Sequence, residues 1–177
     1  VFAIQPGAIL PHAKRTGRDP KQLLTDAGVP ASILDTLTRT GLTLEQIDHV
    51  VGGLTVGSEI AEVRFSLVLV LRESVADEER FLGSLEARRA TVGSRTVHHV
   101  NLGGLPGVMA WKAKPNLWIF ANRESDFPSA EGGTGPTSTT LRDLVTNRLA
   151  PTTAAWLAIN DADWAQKPIV KAAALWA

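Results

Sequence analysis

Residues 64–73 read "RFSLVLVLRE", and this stretch decides the fold. Side chains alternate between the two faces of an extended strand, so Phe65, Leu67, Leu69 and Leu71 line one face. Val68 and Val70 make the other face partly apolar as well. A strand that is apolar on both sides belongs in the middle of a sheet, with cover on both faces. With Ser66 counted in, "FSLVLVL" is about the longest apolar run of the chain. It is far short of the roughly 20 residues that a membrane-spanning helix needs.

Moving outward from this strand, "HVVGGLTV" from His49 is a second extended segment, joined to it by the polar "GSEIAEV". Gly52-Gly53 predicts a bulge or a close backbone approach there. Downstream, "SVADEERFLGSLEA" is an amphipathic helix. Ser74 and Asp77 stand at capping-box spacing, and Phe81, Leu82 and Leu85 form its buried stripe. Two hairpins follow, with turns at Gly93-Ser94 and Pro115-Asn116, and the glycine-rich "NLGGLPG" between them. Upstream, Asp19-Pro20 is a helix start with aspartate as N-cap and proline in the first turn. A second short helix starts at Pro30 and stops at Gly41, and Thr43 with Gln46 caps one further turn. Pro6 is read as a turn after the opening strand Val1-Phe2-Ala3-Ile4.

After Asn122 the composition changes to "RESDFPSAEGGTGPTSTT", which reads as a surface loop. A helix with Leu141, Leu144, Val145 and Leu149 on one face follows, then the strand Trp156-Leu157-Ala158-Ile159 and a last helix. The expected organisation is an α+β module over residues 1–122, a Gly/Ser/Thr-rich loop or linker over 123–138, and a helix-strand-helix over 139–177. The order of elements predicts a mainly antiparallel sheet with helices packed on one face, containing ferredoxin-like (split βαβ) elements.

The closing strand echoes the opening one. Laying Val1 on Trp156 gives identities only at Ala3 with Ala158 and Ile4 with Ile159 over the first ten positions. The tail therefore reads as a candidate start of a second repeat, which either lies against the first sheet or awaits a partner surface. The opening on Val1, and the helical "KPIVKAAALWA" that ends without a capping glycine, are what a piece of a longer repetitive protein, or one with its leader removed, would present.

The segments "GLTLEQIDHVVGGLTV", "SLVLVLRESVADEERFLGSL", "ATVGSRTVHHV" and "VMAWKAKPNLWIFA" resemble modules that recur along large, poorly characterised proteins of planctomycete bacteria. The resemblance spans about residues 1–165 and rests on the order of elements and on loose phrases. It implies a modular protein that is exported or associated with the cell envelope, and it transfers no functional residue.

Composition narrows the chemistry. Eighteen basic and eighteen acidic residues cancel, so no long-range field gathers nucleic acid or an anionic membrane. The hairpin with Arg88, Arg89 and Arg95 carries no aromatic residue for stacking on bases. With no cysteine in the chain, disulfides, thiolate catalysis, iron–sulfur clusters and cysteine-type zinc sites are excluded. His98 and His99 are neighbours on a strand, so they point to opposite faces and do not share one ion. No spacing links His99 to His12 or His49. "EGGTGPTSTTLRDL" lacks the P-loop lysine, "NLGGLPG" opens no helix, and no serine elbow is present. Asp77-Glu78-Glu79 is the acidic first turn of a helix.

The expectation is a non-enzymatic structural or protein-interaction module without a cofactor. Its partners are neighbouring modules of the same protein or other copies of it. Contact is placed on the tail through Trp156, Trp164 and Trp176, whose apolar surface needs cover. The alternative is a hydrolase or small-ligand domain using His99 and acids near "NLGGLPG", which a deep cleft with convergent polar groups would distinguish.

Overall fold

The computed structural model describes residues 2–26, 31–55, 64–102, 107–127 and 155–157. Along the chain they form β1 (Phe2–Ile4), α1 (Pro6–Thr16), α2 (Pro20–Asp26), α3 (Ala31–Thr40), β2 (Ile47–Thr55) and β3 (Arg64–Leu71). Then come α4 (Glu78–Ser84), β4 (Arg88–Val92), β5 (Arg95–His99), β6 (Met109–Lys114), β7 (Leu117–Ala121), a 3-10 turn (Glu124–Asp126) and β8 (Ala155–Leu157). The strands make one eight-stranded sheet in the order β4-β5-β6-β7-β3-β2-β1-β8. Every neighbouring pair is antiparallel. The protein is of the α+β class. The expected helices on either side of β8, and the start at Pro30, lie outside the described residues.

β3 lies inside this sheet, between β2 and β7, as its two apolar faces require. Leu69 and Leu71 are buried on one side, in a core with Ile47, Phe81, Leu85, Ala110, Trp118 and Phe120. Helices supply the cover on this side: Leu37 of α3 and Phe81, Leu82 and Leu85 of α4 pack into the same cluster. Trp118 is fully buried and its ring lies 4.9 Å from that of Phe81, tilted by 52°. On the other side Val68 packs with Val97, Met109, Ile119, Ala121 and Phe127. Phe127 follows the 3-10 turn and meets Trp111 edge-on at 6.1 Å. The first residues of the stretch read as a loop thus form a short turn and deliver one aromatic ring onto the sheet.

Several local expectations appear as structure. Asp19 Oδ1 accepts the Lys21 amide at the head of α2. Gln46 Oε1 accepts the Thr43 amide, the backward half of a capping box. α3 ends at Gly41, whose φ of +73° is the left-handed conformation that glycine reaches without strain. Both predicted hairpin turns are in place, and Asn116 Nδ2 also donates to the Leu71 carbonyl, tying the β6–β7 turn to the end of β3.

Other features differ. The cap of α4 is Asp77, whose Oδ1 accepts the Arg80 amide at 2.9 Å, so the helix starts three residues later than Ser74 would set it. The irregularity in β2 falls between Ile47 and His49, while Gly52 and Gly53 keep a regular register against Leu67 and Ser66. Pro6 opens an 11-residue helix instead of a turn, with Pro11 inside it and Gly17 closing it at φ +65°. Finally, β3 and β4, which α4 joins, run parallel with β7, β6 and β5 between them, whereas β1 and β2 are direct antiparallel neighbours. The three helices α1, α2 and α3 return the chain to the end of the sheet where β1 finishes, so β2 lies directly beside β1 and runs against it.

Candidate functional site

The tail's described contact with the rest of the chain is one strand. β8 pairs antiparallel with β1 in the register Phe2↔Leu157, Ala3↔Trp156 and Ile4↔Ala155. β1 pairs on its other side with β2 through Phe2↔Gly52, Ala3↔Val51 and Ile4↔Val50. β1 is therefore sandwiched between a long strand that precedes the sheet's centre and a short strand that ends the sheet. Ala3, in the middle of this three-residue strand, is 7% exposed. Opposite residues of antiparallel strands share a face, so Trp156 stands at the same register position as Ala3 and Val51. Trp164 and Trp176 lie outside the described residues. β8 is the last strand of the sheet, and such an edge carries backbone donors and acceptors that face outward from the ladder.

At the opposite edge, β4 displays Arg88, Arg89 and Thr91, all exposed, while Ala90 and Val92 between and beside them are half-buried. Charged side chains on an edge strand discourage further pairing. The two edges thus differ in character: one is short and apolar, the other charged.

The histidines are dispersed. His12 is on α1, where its Nδ1 lies 3.2 Å from Arg15 Nη2. His49 is on β2, with Nδ1 2.8 Å from Asp48 Oδ2. β2 and β5 are four strand positions apart in the sheet, roughly 19 Å at about 4.8 Å per strand. His98 faces Ala110 and the helix-covered core, whereas His99 pairs with Met109 and is exposed. The two neighbouring rings thus occupy opposite sides of β5. Among the described residues no group of three or more His, Asp or Glu is placed to hold a metal ion, and no helix is long and apolar enough to cross a membrane.

Under α4 a polar cluster borders the core. Lys112 pairs with Glu78 at the start of α4 and lies 5.8 Å over the Trp118 ring. His98 is on the same face. Burial holds its imidazole below the usual histidine range; the Arg89 charge acts the same way, and Glu78 opposes both. A lowered histidine pKa means that the unfolded chain takes up a proton before the folded one does. Stability is then complete above the unfolded value of about pH 6.5 and falls as pH drops towards the folded value. Urea titrations from pH 8 to pH 5 check this: His98→Asn is expected to flatten part of the decline, and an identical slope in both proteins would remove His98 from the pH response.

A cleft of about 620 Å³ lies where α1 and the start of α2 approach the end of β3, lined by Gly7, Leu10, Ala13, Lys14, Arg18, Glu45 and Arg72 among others. The Arg72 guanidinium rests on Gly7, 2.8 Å from where a Cβ would stand, so a larger residue at position 7 would push the end of this flexible side chain aside. Arg72 also reaches Asp48 at 3.9 Å, and Arg18 pairs with Asp26. The cations of this cleft are largely answered by acids of the same fold.

No family model, no curated protein and no solved structure matches this chain.

Proposed function

We propose that the chain is a non-enzymatic structural or protein-interaction module of a larger repetitive protein, and that it joins its neighbours by extending its sheet. The observation that supports this reading is the seat of β8. A strand nearly thirty residues beyond Phe127 takes the far edge of the sheet and adds itself to β1. Strand addition uses the backbone for affinity and alternate side chains for selectivity. It also leaves a new edge for the next strand. Export or association with the cell envelope belongs to the same reading and rests on the resemblance alone.

Deleting residues 152–177 tests the proposal. Loss of β8 uncovers β1, and a melting temperature lower by several degrees is expected, each kcal/mol being about 2–4 °C for a chain of this size. Sedimentation should show a changed oligomeric state, since an uncovered three-residue strand at a sheet edge seeks a partner. Unchanged melting together with unchanged sedimentation would count against it.

A further inference from the structure

Resting on the reading above, we propose that β8 is the first strand of a following copy of the module, the equivalent of β1. Two consecutive copies then pair through these two strands about a local two-fold axis at the Phe2–Leu157 pair, a closed pairing because the other edge of each first strand is taken by its own β2. Laid on each other, Val1-Phe2-Ala3-Ile4 and Trp156-Leu157-Ala158-Ile159 are identical at their last two positions. The backbone, independently, sets Phe2 opposite Leu157, its own equivalent in that alignment, and Ala3 opposite Trp156, the equivalent of Val1. This is the pairing that a two-fold axis demands: residue k opposite its copy, and k+1 opposite the copy of k−1.

The register also fixes how the copies face. Opposed residues in an antiparallel pair point to the same side of the sheet. Setting a residue against its own equivalent therefore keeps the helix-covered faces of both copies on one side of a continuous sheet. A shift by one residue would turn the second copy over. The partner that fits the outer edge of β1 is thus a second β1. In the intact chain β8 occupies that edge from within the same molecule, where tethering gives it an effective concentration in the millimolar range. Removing β8 should hand the edge to β1 of another molecule.

The chain has no cysteine, so engineered cysteines report the register without background. In a Trp156→Pro/Leu157→Pro chain, in which β8 cannot complete its ladder, Phe2→Cys is expected to give a disulfide-linked dimer. Residues opposed across antiparallel strands have Cα atoms about 4.5–5.5 Å apart, within disulfide range. Ile4→Cys in the same background should cross-link at least about tenfold more slowly. Its copies would be displaced by four residues, roughly 14 Å along the strands, beyond the limit of about 7 Å. Phe2→Cys with β8 intact should also be slow.

Equal cross-linking at positions 2 and 4, or no gain on disrupting β8, would overturn the two-fold arrangement. Sedimentation of the cysteine-free proline variant is the second readout, with reversible dimers expected. Dimers that the Phe2→Cys substitution fails to trap overturn this inference while leaving an interaction module in place. A strictly monomeric variant with unaltered melting overturns both.

Discussion

Trp118→Ala should destabilise the protein by about 3–5 kcal/mol, and Trp118→Phe by much less. Trp118 is fully buried on β7, against Phe81 of α4 and beside Phe120 and Leu69 in the same core. Truncation to alanine removes the ring from between sheet and helix and leaves a cavity that the packed neighbours fill only in part. The indole carries a second property. Its Nε1 is buried without an acceptor among the described residues. A buried donor without a partner costs about 1–3 kcal/mol. Phenylalanine keeps an aromatic ring against Phe81 and discards that donor, so its lost volume is partly offset. Urea denaturation of the three proteins, with equal slopes to establish that the unfolded states are comparable, measures both values. Equal losses for the two variants would mean that the volume of the indole, not its unpaired N–H, governs this position.

Leu69→Ala should cost about 2–5 kcal/mol, while Val70→Ala, one residue along, should cost about 1 kcal/mol. The two side chains leave the same strand in opposite directions. Leu69 is 5% exposed and points into the helix-covered core, whereas Val70 is only half-buried on the other face, opposite His49 and Leu117. Both positions keep the same backbone ladder to β2 and β7, so the difference isolates side-chain burial from strand pairing. Similar losses at both positions would place an equally dense cover on the second face.

Where a feature depends on a few adjacent residues, the sequence is legible. The alternation of Phe65, Leu67, Leu69 and Leu71 reports directly which side of β3 is covered, because a strand has no other period. The turns at Gly93-Ser94 and Pro115-Asn116 and the Thr43–Gln46 cap are likewise local chemistry. α1 is hidden because Pro6, Gly7 and Pro11 look like breakers. Pro6 occupies the first turn, where its missing N–H has no intrahelical acceptor, and Gly17 closes the helix. That pairing of a proline at the start with a glycine past the end is the available signal.

Strand order is less accessible. It depends on which edges meet after long excursions, and the chain from β1 passes through three helices before it returns to lie against it. The tail is the sharpest case. Its likeness to the opening strand is visible in the letters, but the seat of β8 on β1, and the pairing of Phe2 with Leu157, come only from the fold. The histidines illustrate the converse. Sequence separates His98 from His99 by the alternation of a strand, and the structure places them on opposite sides of β5.

Cross-strand nuclear Overhauser contacts between residues 2–4 and 155–157 test the closure of the sheet by its own tail most directly. Contacts joining Phe2 to Leu157 and Ala3 to Trp156, alongside those joining Phe2 to Gly52, are the expected result. Intact contacts between β1 and β2 with none to residues 155–157, or contacts in a register shifted by one, would contradict it.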